Sequence, residues 1–268
     1  MSTEPAGYLA AIAALDGMGP ARLRALLATA PPEKIWATLI TGGGRQLLSG
    51  RQPSDPVAGG HVFEDQSLSR RPLFPADLVG TWERQVASTP HTPAVMADRI
   101  EALELVVQTG AQLPGTLVAD LDPPGVLFTS GSDLDSERAR VAIVGTRRAS
   151  DYGLRTAHSL GHDLAESGIE VVSGLALGID AAAHAGALEG SGGRTPVVAV
   201  IGAGHHRPCP ARNRGLARAV RAAGSVISEV PPGISSAPWR YPVRNRLIAG
   251  LVDVVVVVES ASSGGSMS

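Results

Sequence analysis

The sequence predicts an α/β protein with a doubly wound, mostly parallel sheet, preceded by a small all-helical unit. Short β-branched runs alternate with helical stretches from Arg140 onward, whereas apolar residues in the first forty positions recur at helical spacing. Strand–helix alternation predicts right-handed crossovers and a parallel sheet that is covered on both faces. The 268 residues suffice for one large domain and a small second one.

Residues 1–40 predict a unit of three short helices. Leu9, Ile12 and Leu15 lie at helical spacing, and the GMGP turn at 17–20 ends this helix with a proline that suits the start of the next. The turn resembles a SAM or helix-hairpin-helix unit, in which backbone N–H groups at a helix start receive a phosphate. The alternative is a compact helical module whose glycines only permit a tight turn.

Residues 41–80 are rich in glycine, proline and serine and show no sustained periodicity, which predicts a linker or a long surface loop. A Rossmann-like domain is then expected over residues 81–268. It should begin with a helix over 93–109 and continue with short extended pieces over 117–128.

The regular strand–helix alternation begins near residue 140. The predicted strands are 141–144, 170–172, 197–201, 225–227 and 252–258, and the predicted helices are 154–166, 179–188, 213–222 and 242–251. The valine run at 254–258 is too short to cross a bilayer and is interpreted as a buried strand. Ligands on such sheets bind beyond the carboxyl ends of the strands, so the loops after the strands are the candidate sites.

The loop after the first of these strands carries Gly145, Thr146 and Arg147. The glycine lets the backbone approach a ligand, the guanidinium offers a planar fork of donors to a phosphate, and Ser150 or Asp151 can cap the next helix. This arrangement suits an anion. The spacing of the dinucleotide fingerprint and a G-x-x-x-x-G-K-[ST] loop are both missing, so no nucleotide cofactor is expected.

The loop after the second strand reads SGLALGID over 173–180. Its glycines frame a turn whose N–H groups would point at a ligand, and Ser173 adds a hydroxyl, which favours phosphate binding over glycines kept only for close packing. Asp180 and His184 lie one helical turn apart and could resemble a catalytic pair. No partnered nucleophile accompanies them, so we expect a structural or supporting hydrogen bond.

The loop after the third strand carries His205, His206 and Cys209. These residues invite a metal hypothesis, but no convincing fourth ligand follows, and no metal is expected. An exposed loop with some positive charge is the ordinary explanation.

The segment WRYPVRNR at 239–246 follows the fourth strand. Trp239 and Tyr241 offer rings for base stacking, and the neighbouring arginines offer donors to phosphates at the start of a helix. The alternative is that the rings pack the loop and that one arginine pairs with a carboxylate. Arg244 and Arg246 are two positions apart and cannot face the same way, so one of them is expected to point at the ligand.

Four ordered motifs resemble the DNA-processing protein family DprA, also called Smf. They are VAIVGTRRASDYG at 141–153, VVSGLALGIDAAAHAGAL at 171–188, SVISEVPPG at 225–233 and YPVRNRLIAGLVDVVVVVES at 241–260. The resemblance covers residues 113–268 and, more loosely, the helical unit. It implies an extended Rossmann-like domain that binds single-stranded DNA without known catalysis, dimerises, and protects incoming DNA while helping to load the recombinase RecA.

The resemblance also implies which residues face the DNA. Carried over by motif, they are Gly145, Thr146, Arg147, Ser173, Gly174, Ala176, Arg244, Asn245 and Arg246, with Tyr241 as the aromatic and with Asp180, His184 and Glu229 in support. Two departures stand out. Cys209-Pro210 replaces the usual Tyr-Pro, and the sequence ends in what looks like the glycine- and serine-rich loop after the fifth strand, which suggests a C-terminally truncated member.

Bulk composition limits the remaining classes. The net charge of −2 does not help a nucleic-acid hypothesis, so the distribution of charge must support it. Cys209 is the single cysteine of the sequence, so an internal disulfide is excluded. The N-terminus lacks a secretory pattern, which predicts that the protein is located in the cytosol and has no membrane role. The competing hypothesis is a nucleotide-processing phosphoribohydrolase with Glu229 or Glu259 as its catalytic carboxylate. Its P-G-G-x-G-T-x-x-E motif is absent, and we expect no catalysis.

Overall fold

The computed structural model describes residues 3–48, 73–134 and 138–260 of the chain. The α-helices are α1 Thr3–Ala13, α2 Pro20–Leu27, α3 Pro32–Ile40, α4 Gly44–Leu48, α5 Ala76–Val86, α6 Pro93–Ala102, α7 Gly115–Val118, α8 Asp151–Glu166, α9 Ile179–Ser191, α10 Arg214–Ala223 and α11 Arg240–Gly250. The strands are β1 Val106–Gln108, β2 Leu127–Gly131, β3 Arg140–Val144, β4 Glu170–Ser173, β5 Val197–Val200, β6 Ser225–Ser228 and β7 Val254–Val257.

The strands form one mixed sheet in the order β1-β2-β6-β5-β4-β3-β7. The strands β3 to β7 run parallel, and β1 and β2 add an antiparallel edge beside β6. The chain moves from β3 to β6 in one direction and then returns to place β7 on the other side of β3. The expected α/β class with a mostly parallel sheet is confirmed.

This reversal of direction covers both faces of the sheet. Helices α8, α9 and α10 pack on one face through small apolar side chains, among them Ala157, Ala183 and Ala217. Helix α11 packs on the other face through Leu247, Ile248 and Leu251, whose neighbours include Leu117 of α7. Right-handed crossovers require this division, because successive parallel connections in one direction stay on one face. The result is the doubly wound arrangement.

The helical unit is larger than the first forty residues. Helices α1 to α3 form at the predicted places, and α5 and α6 join their core through Trp82 and Met96. Helix α4 and the first residues of α5 fall inside the segment interpreted as a linker, whose central part lies outside the described residues. Residues 76–102 therefore pack with the N-terminal helices, although the sequence placed residue 81 onward in the sheet domain.

The predicted helix over 93–109 is too long. Helix α6 ends at Ala102, and the chain then reaches β1 through Glu104, whose φ of 51° is left-handed. A residue in that region cannot continue a right-handed helix. Apolar residues at helical spacing thus spanned a helix, a turn and a strand.

The interpretation of the terminal valine strand as buried is wrong. Among the described residues β7 is the last strand of the sheet, and its one partner there is β3. Val254, Val255 and Val257 are exposed, because the change of direction that creates the doubly wound sheet leaves β7 without a covering helix in the part of the chain that is described. No helix there is long and apolar enough to cross a membrane.

Candidate nucleic-acid interface

The carboxyl ends of β3, β4, β5 and β6 meet at one edge of the sheet, and the loops that follow them converge there. Ligands on doubly wound sheets bind at this edge, near the point where the strand order reverses. The loops after β3 and β4 and the start of α11 contain most of the residues singled out from the sequence. Their side chains separate into a buried layer and an exposed layer.

Asp180 is the centre of the buried layer. Its carboxylate is buried close to the backbone N–H groups of Gly145, Gly174 and Ala176. Burial raises the pKa of Asp180, and the nearby Arg244 guanidinium and these three N–H groups oppose the shift. The backbone N–H groups of Gly174 and Ala176 thus lie beside a buried carboxylate, and their contact with a phosphate stays a prediction.

Arg244 lies beneath the same loops and is 7% exposed. Its Nη1 donates to the carbonyl oxygen of Gly174 at 3.0 Å and to that of Val200 at the end of β5. Burial lowers the pKa of Arg244, and the Asp180 carboxylate opposes that shift. The expected phosphate contact by Arg244 is not supported, since helix periodicity places residue 244 on the sheet side of α11.

Arg246 is held by carboxylates rather than left free for a phosphate. Its Nη2 donates to Glu229 Oε2 at 2.5 Å, and its Nε lies 3.5 Å from Asp122 Oδ2. Burial raises the pKa of Glu229 to about 6, and Arg246 opposes that shift. The structural ion pair considered as the alternative is the arrangement found. Asn245, between the two arginines, is half-buried and already engaged within the protein.

The hydroxyl groups of the first two loops also serve the fold. Ser173 is fully buried, and its Oγ donates to the carbonyl oxygen of Ile143 at 2.6 Å, so it does not face the edge as expected. Thr146 N donates to Glu259 O at 2.7 Å, and the Thr146 hydroxyl accepts from Arg148 N at 3.2 Å. Side-chain oxygens in both loops thus fix the backbone that carries Arg147.

The loop after β4 is strained and clamped. Leu175 is buried and has a left-handed φ of 54°, a conformation that costs about 1–3 kcal/mol for a residue with a side chain. Asn213 Nδ2 donates to the carbonyl oxygens of Leu175 at 3.0 Å and Ala176 at 3.1 Å. Asn213 was not among the predicted site residues. Its place at the start of α10 gave no sign that its amide would reach another loop.

His184 supports the buried layer and has no catalytic geometry. The ring is fully buried, and burial lowers its pKa to about 4, while the nearby Ser173 carbonyl opposes the shift. His184 is therefore neutral at pH 7. Neither ring nitrogen has a hydrogen-bond partner of normal geometry within the described ranges, so the expected hydrogen bond of His184 is not found there. The supporting role of Asp180 and His184 stays a prediction.

The loop after β5 keeps apart His205, His206 and Cys209, the side chains for which a metal hypothesis was considered and not favoured. His205 is buried and its Nε2 lies 3.0 Å from the carbonyl oxygen of Val226, whereas His206 Nδ1 accepts from Gly233 N at 3.2 Å. Cys209 is half-buried, and burial raises the pKa of its thiol. Across the described segments these three side chains form no cluster with metal-ligand spacing.

The exposed layer begins with Arg147, which joins the first loop to α11. Its guanidinium lies 4.6 Å from the ring centroid of Tyr241, and the guanidinium of Arg240 lies 5.0 Å from that of Trp239. Trp239 is 62% exposed. Rings with an accessible face beside cationic groups are the arrangement on which unpaired bases stack.

Beside this aromatic pair, an open depression of about 750 Å³ lies between α8, α9 and the end of the loop after β5. Its basic side chains are Arg147, Arg148, Arg155 and Arg212. All four are exposed, and none forms an ion pair with another residue in the described ranges. His158 also lines the depression and lies 3.4 Å from Glu189. The α8–α10 side of this edge therefore carries four arginines without an ion-pair partner in the described ranges.

Sequence reasoning missed three of these four arginines. A signal was available, because residues 190–228 contain six arginines and no aspartate or glutamate. The chain carries a net charge of −2, so this segment is strongly basic against a slightly acidic background. Motif comparison drew attention to the conserved-looking loops instead.

The GMGP turn of the helical unit also reaches this edge. Residues Gly17 and Pro20 line a cavity of about 370 Å³ together with Gly202, Glu229 and Trp239. The helical unit therefore covers the β5–β6 side of the edge, and the open depression lies on the β3–β4 side.

Comparison with known protein families matches residues 104–268 to the family of DNA recombination-mediator protein A. The chain belongs to this family. The resemblance to DprA and Smf proteins that the four motifs indicated is confirmed.

Curated relatives agree with this membership. The chain is 35% identical over 180 residues to DNA processing protein DprA of Bacillus subtilis. This alignment covers 66% of this chain and 60% of that protein. It is 37% identical over 155 residues to protein Smf of Escherichia coli, and this alignment covers 58% of this chain and 41% of that protein. The matched part thus spans about two fifths to three fifths of these relatives.

Solved structures of the family support the fold. DprA from Streptococcus pneumoniae superposes with a TM-score of 0.60 at 28% identity, covering 71% of this chain and 67% of that chain. DNA processing protein A from Helicobacter pylori, whose structure concerns a single-stranded DNA binding mode, superposes with a TM-score of 0.53 at 28% identity, covering 60% of this chain and 73% of that chain. This chain therefore shares its overall fold with both structures over the covered part.

Proposed function

We propose that this chain binds single-stranded DNA along the arginine-bearing side of the carboxyl edge. The observation that supports this most is the open depression lined by Arg147, Arg148, Arg155 and Arg212, which have no ion-pair partner among the described residues and lie beside the Arg147–Tyr241 contact. Phosphates pair with the guanidinium groups, and unpaired bases stack on the neighbouring rings. Family membership and the Helicobacter pylori relative support the same class of ligand.

The proposal assigns different roles to the predicted residues. Arg147 contacts the phosphates, and Trp239 and Tyr241 accept bases. Asp180 and Arg244 lie buried beneath the loops, hold them in position and do not contact the DNA. Gly145 brings the first loop close to Ile179, where a Cβ would overlap that side chain.

The test is a fluorescence-anisotropy titration of a labelled oligothymidylate with the full chain. Arg147→Ala with Arg212→Ala should weaken binding at least tenfold and lower the slope of log K against log salt by about 1.4, since each contacted phosphate contributes about 0.7. The matched control is Arg45→Ala with Arg194→Ala, two exposed arginines on α4 and on the opposite edge of the sheet. An equal loss in both variants, or binding that is insensitive to salt, would contradict the proposed site.

We further propose, on family grounds, that the bound strand is protected and passed to a RecA recombinase in the cytoplasm, with a homodimer as the active assembly. Co-precipitation of purified RecA with the chain, with and without oligothymidylate, tests the partner, and light scattering tests the assembly. Capture of RecA only in the presence of DNA would mean that the strand, and not the protein surface, bridges the two.

The proposal includes no covalent chemistry. The two carboxylates that a phosphoribohydrolase would need are engaged: Glu229 pairs with Arg246, and both oxygens of Glu259 accept from Ser150. Incubation with nucleoside monophosphates should release no free base. Release of base at a rate that falls in Glu229→Gln would overturn this part of the proposal.

A further inference from the structure

Helix α10 carries a basic face that continues away from the site just described. Arg214, Arg218 and Arg221 are four and seven positions apart and therefore lie on one side of the helix. They line a cleft of about 200 Å³ between α10, the loop after β5 and strands β2 and β6. Ala217 and Val220, on the neighbouring side of α10, are buried against the sheet, and Ala217 also lines the cleft.

Two of these three arginines are free to bind a ligand. Arg221 donates to the carbonyl oxygen of Leu103 at 2.9 Å and to Glu104 Oε2 at 2.7 Å, which ties it to the chain before β1. Arg214 and Arg218 are exposed, and within the described ranges no carboxylate lies in ion-pair distance of either. Two guanidinium groups on one helix face that have no carboxylate partner attract anions.

The position of α10 connects this face to the depression. Arg212, which lines the depression, lies in the short helical turn Ala211–Asn213 that leads directly into α10. Arg214 follows at the carboxyl edge, and Arg218 lies about 6 Å further along the helix, from the helical rise of about 1.5 Å per residue. The arginines therefore form a line that leaves the edge and runs along the α8–α10 face of the sheet.

Charge supports a polyanion as the occupant. The stretch 190–228 carries six arginines without an acidic residue in a chain whose net charge is −2. Continuity with Arg212 favours the strand that occupies the depression over a separate acidic protein.

We infer that the α10 face, defined by Arg214 and Arg218, is a second phosphate-binding surface that receives the DNA strand after it leaves the carboxyl edge. The inference rests on the proposed function and extends it, because it makes the occupied length of DNA longer than the edge alone can bind. A short oligonucleotide fills the depression only. A long one also reaches α10.

The experiment compares labelled oligothymidylates of about 6 and about 20 nucleotides, lengths below and above the sites of about 4–16 nucleotides common for single-strand binders. In the full chain, Arg214→Glu with Arg218→Glu should weaken binding of the long strand at least tenfold and that of the short strand by less than about threefold. Arg214→Gln with Arg218→Gln should show a smaller loss for the long strand and lower its salt slope by about 1.4.

The matched control is Arg45→Glu with Arg194→Glu, which makes the same change in net charge away from α10. It should change the affinity for the long strand less than threefold. Three results would overturn the α10 surface and leave the edge site intact. The first is an equal loss of affinity for the short and the long strand, the second an equal loss of affinity in the control variant, and the third an unchanged affinity for the long strand. Failure of the unchanged chain to bind either strand would overturn the proposed function itself.

The variants should keep the fold, because residues 214 and 218 are exposed and a glutamate in the first turn of a helix interacts favourably with the helix dipole. Circular dichroism and a thermal melt verify this. An unchanged affinity for the short strand gives an independent check that the edge site remains formed.

Discussion

Gly174 lies where the loop after β4 passes the guanidinium of Arg244. A Cβ at position 174 would overlap Arg244 Nη1, Nη2 and Cζ, so the missing side chain is what allows this buried arginine to reach the carbonyl oxygens of Gly174 and Val200. Arg244 in turn stabilises the charge on Asp180, which lies close to the N–H groups of two loops. At the scale of single residues, a buried guanidinium and a buried carboxylate shape the edge without facing the ligand.

Gly174→Ala is therefore expected to displace Arg244 and loosen the loops. We expect a loss of about 1–3 kcal/mol in the free energy of unfolding, as for overpacked cores, together with weaker binding of oligothymidylate. Urea denaturation and anisotropy measure the two effects. Gly115→Ala is the control, because a Cβ there meets no heavy atom within 4 Å. Full affinity and stability in Gly174→Ala would show that the guanidinium can move at no cost.

Strand β7 consists of valines typical of a buried strand, yet several of them are exposed to solvent. Its valines would be buried in the middle of a parallel sheet, but in the described part of the chain β7 pairs with β3 alone and no strand lies on its other side. Exposed apolar edge strands pair readily with other chains.

Val255→Lys is expected to lower concentration-dependent self-association of the 268-residue chain, because a charge on an edge strand opposes edge-to-edge pairing. Size-exclusion chromatography with light scattering over a range of concentrations measures this. Val118→Lys is the matched control, since Val118 and Val255 are both 46% exposed and Val118 lies on α7. The same reduction in both variants would mean that net charge, rather than the edge, governs association.

At the scale of the whole molecule, a chain of charges joins the helical unit to the sheet domain. Arg24 of α2 contacts Asp122 at 3.2 Å and the carbonyl oxygen of Pro123, and Asp122 in turn contacts Arg246, which binds Glu229. Of these groups Glu229 is the most buried, and a buried carboxylate costs desolvation energy that only a close partner such as Arg246 offsets, whereas Asp122 is exposed. The relative position of the two units at the carboxyl edge depends on these contacts.

This chain of charges should give the protein a pH-dependent stability. Because burial raises the pKa of Glu229 from 4.5 to about 6, the folded chain binds more protons than the unfolded chain in this interval, and the free energy of unfolding falls as pH rises through it. The loss amounts to about 2 kcal/mol, from about 1.4 kcal/mol per pKa unit. Below pH 4.5 the carboxyl is protonated in both states and the contribution is constant.

Glu229→Gln should remove this fall. Urea denaturation of both proteins between about pH 4 and about pH 8 should give curves whose difference changes by about 2 kcal/mol, mostly across pH 4.5 to 6. Glu101→Gln, an exposed carboxyl on α6, is the control. Parallel curves for the unchanged chain and Glu229→Gln would show that the carboxylate keeps an ordinary pKa in the fold.

The fold class, the family and most of the strands and helices from residue 140 onward could be predicted from the amino-acid sequence. Periodicity located α8 to α11 and β3 to β6 within a few residues, because these segments carry regular apolar patterns and end in glycine-rich turns. It also located the edge, because the topology of parallel strands fixes where loops meet. Arg147 and Trp239 were found this way, since side chains next to such loops are exposed unless something covers them.

Only the tertiary structure decided which arginines are available. Arg244 and Arg246 look like ligand contacts in a linear motif, yet one is buried under the loops and the other is paired with Glu229. Burial and pairing depend on residues far away in sequence, such as Asp122 and Asp180, and no local pattern records them. The exposed face of β7 and the free arginines of α10 are likewise consequences of strand order. Charge composition could point to a basic surface, but only packing could show which guanidinium groups on it remain free.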